Sequence, residues 1–160
     1  MHSTFLDFYD RCFDDVYRYV YFKVGNKWDT DDIVSEVFMK AFQGFGGVRG
    51  ESRPWVFTIA HHTVVDFYRR KGREVSAPST GDLLGCNDLE DMDKEAEAEC
   101  LRLVLQRLDE ESRELINLRY FAGLKHTQVA ETLNLTAGAV KMRVSRLLEQ
   151  VRGMVEQCLM

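Results

Sequence analysis

Residues 124–148, Leu-Lys-His-Thr-Gln-Val-Ala-Glu-Thr-Leu-Asn-Leu-Thr-Ala-Gly-Ala-Val-Lys-Met-Arg-Val-Ser-Arg-Leu-Leu, decide the fold. Val129, Ala130 and Leu133 recur at one helical spacing, and the small Ala130 side chain lets a second helix cross closely. Asn134, Leu135 and Thr136 then make a turn. Leu135 plugs the angle, and Thr136 caps the next helix because its hydroxyl accepts an amide N–H that the helix leaves unpaired. Beyond the turn, Val140, Val144, Leu147, Leu148 and Val151 form a second apolar stripe. Opposite it lie Met142, Ser145 and Arg146, with Lys141 and Arg143 on the flanks. An apolar back with a short polar and cationic front suits a helix that enters the DNA major groove, so the segment reads as a helix-turn-helix. The plainer alternative is a helical hairpin with a solvated basic face.

The chain has 160 residues and a net charge of −5, which looks wrong for a DNA binder until the charge is divided along the sequence. Residues 1–74 are neutral, 75–99 carry −7, and 100–160 carry +2. The acidic stretch opens with Ser76-Ala77-Pro78-Ser79-Thr80-Gly81, turn-forming and poorly apolar, which is the composition of a linker. The expected organisation is all-α: two small helical domains, 1–74 and 96–160, joined by an acidic flexible tether over 75–95. No apolar run approaches the roughly 20 residues of a membrane span, and acidic and aromatic residues near the N-terminus (Phe5, Asp7, Phe8, Tyr9) argue against a signal peptide. Cys12, Cys86, Cys100 and Cys158 are scattered without a C-x-x-C pair, which fits reduced thiols in a cytoplasmic protein better than a disulfide framework.

Helical periodicity runs through both halves. Phe5, Phe8, Cys12, Val16 and Val20 hold one stripe; Ile33, Val34, Val37, Phe38, Ala41 and Phe42 hold another. A third helix starts near Pro54, which suits a first turn, and presents Val56, Ile59, Ala60, Thr63 and Phe67 inward. In the second half Leu101, Val104, Leu105 and Leu108 precede Leu115, Ile116 and Leu118, with Asp109 as the N-cap between them. No segment alternates with period two.

The third helix carries the second chemical signal. Thr58, His61, His62, Val65 and Arg69 share its outer side, and it ends in Arg69-Arg70-Lys71. Histidine and threonine can hydrogen-bond bases or phosphates, while arginines neutralise backbone charge. Trp55, Phe57 and Tyr68 supply flat surfaces for an unstacked base. A solvated polar face ending in cations that favour the helix dipole explains the same residues without DNA. A metal site on His61, His62 and Asp66 lacks a cysteine at ligand spacing, and a hydrolase lacks a positioned nucleophile and a glycine-rich phosphate loop. No metal, cofactor or catalytic residue is therefore expected.

The order of these features resembles the bacterial sigma-70 family, in its extracytoplasmic-function (ECF) class. Asp31-Asp32-Ile33-Val34-Ser35-Glu36-Val37-Phe38-Met39-Lys40-Ala41-Phe42 is similar to sigma region 2.2. Arg49-Gly50-Glu51-Ser52 and the run from Trp55 to Asp66 resemble regions 2.3 and 2.4, and Leu108 to Arg146 resembles region 4. The resemblance implies a transcription initiation factor with core RNA polymerase and promoter DNA as partners. Asp31, Asp32, Ile33, Glu36 and Phe38 would meet the polymerase. Phe45, Arg49, Ser52, Trp55, Thr58, His61, His62, Arg69 and Arg70 would open and read the −10 element, with the 45–52 loop capturing a flipped base. Thr136, Lys141, Met142, Arg143, Ser145 and Arg146 would read the −35 element. His62 stands where the family has asparagine, which points to an altered −10 preference. An anti-sigma protein, often membrane-bound in this family, is a further implied partner. The competing expectation is a dimeric repressor or activator that uses the same helix-turn-helix without polymerase.

Overall fold

A computed structural model describes residues 4–47, 52–71 and 92–160. It is helical, with no strand among the described residues. Helix α1 spans Phe5–Val24, α2 Lys27–Gly44 and α3 Ser52–Lys71; α4 spans Met92–Arg107, α5 Glu110–Ile116, α6 His126–Leu133 and α7 Ala137–Leu159. A short 3-10 turn, Phe45–Gly47, follows α2, and a π turn, Asn117–Phe121, continues α5. Most of the expected tether, with Cys86 and Arg49, lies outside the described residues; α4 already begins at Met92.

Local chemistry sets the helix ends. Thr4 and Asp7 form a reciprocal capping box at the start of α1. Gly25 ends that helix at φ 85°, in the left-handed region that glycine enters without a Cβ clash. Asn26 then caps α2, accepting Asp29 N–H at 2.8 Å, so two residues suffice for the hairpin. Asp109 caps α5 as its position predicts, accepting Ser112 N–H at 3.1 Å.

Helices α1, α2 and α3 pack together, and α7 gathers α4, α5 and α6. The two groups do not stand apart. Helix α3 lies against α6, and α1 against the π turn. Buried side chains from Phe8 through Val64 and from Val104 through Val151 form one continuous apolar cluster. Leu118 in the π turn and Leu124 just after it are fully buried.

One expectation is overturned. Cys100 and Cys158 are joined in a disulfide with Cα atoms 5.8 Å apart, because packing of α7 along α4 brings together residues separated by 58 positions. Cys12 is buried and free. Among the described residues no helix is long and apolar enough to cross a membrane.

Candidate nucleic-acid interface

The turn before α7 forms as its residues require. Leu135 N–H bonds to Ala130 O at 2.9 Å, and Asn134 adopts φ 59°, a left-handed conformation that asparagine tolerates. Thr136 Oγ1 accepts Ala139 N–H at 3.1 Å and so caps α7. Val140, Val144, Leu147 and Val151 are buried against the bundle, while Leu148, expected in the stripe, is 42% exposed. On the other side Thr136, Lys141, Met142, Arg143, Ser145 and Arg146 are all exposed. Arg143 is already engaged, 2.6 Å from Glu111 on α5. Exposed on both sides, that pair contributes at most about 1 kcal/mol and yields readily to phosphate.

Helix α3 divides its candidate residues. His62, Arg69 and Arg70 are exposed, and Ser52, Trp55, Thr58 and His61 are half-buried. Thr58 donates its hydroxyl proton to Pro54 O at 2.8 Å within its own helix. Asp66, which helical spacing offers as a partner for His62, lies instead 4.0 Å from Arg69. Phe57 was expected to face a base but is fully buried, its ring edge-on to Tyr19 at 5.5 Å. The apolar face of α3 is simply wider than the inward residues chosen from sequence, and takes in Val64 as well. Phe45, expected to capture a base, packs its ring on Phe5 and Phe8 at 5.5 and 5.3 Å.

The polymerase-facing assignment needs the same correction. Ile33 is 0% and Phe38 6% exposed, and Phe38 packs on Phe8, Tyr9 and Phe13. So buried, neither side chain offers a surface to a partner. Asp31 and Asp32 are exposed and Glu36 half-exposed, and the apolar groups beside them in the open are Met39 and Phe42, 63% and 66% exposed. Positions 32, 35, 36, 39 and 42 share one helical face, a period that points outward once Val34, Val37 and Ala41 are known to point in. Glu36 also holds Arg70 at 3.1 Å and Lys40 at 3.6 Å, and Asp29 holds Lys71 at 3.3 Å. A shallow groove between α2 and α3 is lined by Asp32, Glu36, Phe67, Arg70 and Lys71.

Where the two helix groups meet lies a polar cluster that the sequence reading missed. Glu114, buried on α5, accepts the Tyr19 hydroxyl proton and pairs with Lys23, both on α1. His61 Nδ1 sits 3.4 Å from Lys23 Nζ and 3.7 Å from Glu114. Burial, then the neighbouring Glu114 charge, pushes the Tyr19 phenol well above its ordinary range, so it remains a donor. Burial first, and Lys23 second, lower the His61 pKa below 6.5, so the ring is neutral at pH 7. Asn117 in the π turn donates to Tyr19 O at 2.9 Å. Arg53 at the start of α3 donates to Asp15 and to Ala122 O, both at 2.7 Å, and Arg18 reaches Phe121 O at 3.2 Å. Phe22 and Phe121 stack with ring centres 4.6 Å apart. The one local hint was the polar pair Glu114 and Asn117, three residues apart in an apolar run.

Comparison with known proteins agrees with this geometry. The family "Sigma-70 region 2" matches residues 8–74, and "Sigma-70, region 4" matches residues 98–151. The RNA polymerase sigma factor SigZ of Bacillus subtilis is 30% identical over 157 residues, covering 95% of this chain and 87% of that protein. The ECF RNA polymerase sigma factor BldN of Streptomyces coelicolor is 30% identical over 141 residues, 83% of this chain; the chain spans 53% of BldN's length. Two solved structures share the fold: CnrH in complex with the cytosolic domain of CnrY, with a TM-score of 0.69, 21% identity and coverage of 96% of this chain and 88% of that one; and the sigma factor RpoE of Bartonella quintana in complex with the anti-sigma factor NepR, with a TM-score of 0.64, 22% identity and 96% of both chains covered. With region 2 in α1–α3, region 4 in α4–α7 and relatives matched along nearly its whole length, the chain belongs to the ECF class of the sigma-70 family of RNA polymerase sigma factors.

Proposed function

We propose that this protein delivers core RNA polymerase to promoters, docking through α2, reading the −35 element with α7 and the −10 element with α3. The observation that carries the reading is the face of α7. Lys141, Met142, Ser145 and Arg146 stand exposed together on the second helix of a helix-turn-helix whose back buries Val140, Val144 and Leu147. Asp31, Asp32 and Glu36 remain the acidic part of the polymerase-docking face, with Met39 and Phe42 as its apolar part. His62, Arg69 and Arg70 are the α3 residues open to DNA. Strand opening costs a few kcal/mol of unstacking, which binding energy offsets, so the role asks for no catalytic group.

An inhibitory protein is a further proposed partner, since RpoE is held by the anti-sigma factor NepR in its solved complex. No observation favours a regulator that works without polymerase. Run-off transcription with core polymerase on genomic fragments tests the whole reading. Discrete transcripts that require the protein are expected; their absence, together with sequence-specific duplex binding by the protein alone, would replace it with the repressor reading.

A further inference from the structure

We infer that Cys100 and Cys158 form a reversible oxidation site: a peroxide joins the two thiols across α4 and α7, and the bridge anchors the recognition helix against heat. The inference rests on the proposed function, because that role places the protein beside RNA polymerase, in a compartment where thiols are kept reduced.

Compartment and geometry together make the case. Cytoplasmic disulfides are as a rule transient or redox-sensing, since the resident thiol pools reduce lasting ones. Yet Cys100 and Cys158 stand with Cα atoms 5.8 Å apart, a separation that two thiols bridge without backbone movement. The pair is reached from one side only. Cys100 is 7% exposed, whereas Cys158 lies in the exposed last turn of α7. Cys158 is thus the sulfur that an oxidant or reductant meets, and Cys100 the shielded one that resolves it. The free Cys12 is buried in the other helix group and takes no part.

The bridge sits where apolar packing ends. On α7 the inward stripe closes with Val151 and the partly buried Met154 and Val155, and residues 156–160 are exposed. On α4 exposed Glu95, Ala96, Glu97 and Glu99 precede Cys100. Without the bridge the outer ends of both helices have little to hold them. With it, a loop spanning 58 positions is closed around α5, α6 and nearly all of α7. Closing a loop of that length raises the folded-to-unfolded ratio of the segment by about a thousandfold. In a helical group near the lower size limit for a self-sufficient core, that factor decides whether α7 stays formed on heating.

The chemistry balances with hydrogen peroxide as the oxidant. The Cys158 thiolate attacks a peroxide oxygen and breaks the O–O bond, leaving a sulfenic acid and, with the thiol's own proton, one water. Cys100 Sγ then attacks that sulfur, and its proton leaves with the hydroxyl as a second water. Two thiols lose two electrons, and one peroxide becomes two waters. A dithiol reductant reverses the step by exchange, first displacing Cys100 as its thiol and then Cys158.

The test uses the full-length chain. Alkylation and mass spectrometry should find both thiols free in protein taken from unstressed cytoplasm. Hydrogen peroxide should form the Cys100–Cys158 bridge, and dithiothreitol should remove it. Cys86→Ser should leave both steps unchanged. The bridged form should unfold about 10 °C higher than the reduced form, and Cys158→Ser should match the reduced form with or without peroxide. Run-off transcription with core polymerase, at a temperature between the two midpoints, should be about tenfold greater from the bridged protein. A bridge already complete in unstressed cells and resistant to dithiothreitol is a permanent staple and overturns the proposal. Pairing through Cys86 overturns it too, as does equal unfolding of the bridged and reduced forms. Equal transcription from the two forms overturns the anchoring role. No transcript from either form at any temperature would instead overturn the proposed function, leaving the thiol chemistry standing.

Discussion

Helices α3 and α7 carry the two candidate DNA faces, and the structure treats them in opposite ways. The polar side of α7 is exposed along its first three turns, and among the described residues its tie to another helix is the exposed Arg143–Glu111 pair. The polar side of α3 is partly withdrawn, with His61 half-buried beside Lys23 and Glu114 and Arg53 bonded to region 4 backbone. A recognition helix that reads duplex needs only a rigid back and an open front, which local sequence supplies. A helix that reads opened strand needs its partner only after melting, so its exposure can be conditional. The difference teaches that a polar stripe on a helical wheel marks a capacity for contact, and tertiary packing decides when that capacity is available.

The sharpest way to break this comparison is to attack the shared core. Leu124 is fully buried beside the π turn, and its N–H bonds to Leu118 O at 3.0 Å. Leu124→Ala should cost about 2–5 kcal/mol. Because the core is continuous, hydrogen exchange should accelerate in α1 and α3 as well as in α6 and α7. Acceleration confined to region 4 would show two independent bodies.

Arg146→Ala tests the open face. Loss of a base-reading arginine should cost the holoenzyme about 1–3 kcal/mol in promoter affinity and relax preference at one position. A phosphate contact would instead weaken all sequences alike and flatten the salt dependence. The dimensions of the free protein should not change. A duplex-binding assay across single-base promoter variants distinguishes these outcomes.

Thr136→Ala removes the side-chain acceptor for Ala139 N–H and should lower stability by about 1 kcal/mol. Thermal unfolding measures the loss. −35 affinity should fall with it, while binding to single-stranded −10 DNA stays as in wild type. An equal loss on both DNAs would mean that the two faces are not separate.

The smallest effect is the response to pH. The groups facing His61 are Lys23 on α1, Glu114 and Glu110 on α5, and His62 on its own helix. Its pKa in the folded protein lies below 6.5, so the unfolded chain binds the proton more readily. The stability this group contributes is therefore full above pH 6.5 and declines as the pH falls below that unfolded-state value. Thermal unfolding at pH 7.5 and 5.5 should show slightly lower stability at the acid pH in wild type, a difference lost in His61→Ala. An equal response in the variant would assign the effect to other groups.

The amino-acid sequence by itself determined the helices, their caps and the helix-turn-helix. Those features depend on residues three or four positions apart, and Asp109, Thr136 and the α7 stripe act at that range. It also determined which face of α7 is polar, since one packed side leaves the other to solvent. Only the tertiary structure decided which aromatics are free. Phe38 and Phe57 look like surface anchors until α1 covers them, whereas Phe42, read as part of the α2 core stripe, meets only the edge of that core at Phe5 and stays exposed. It alone joined Cys100 to Cys158, and Glu114 to Tyr19 across 95 residues. Such contacts leave no periodic trace, because burial is a property of the surface a helix meets and not of the helix that meets it.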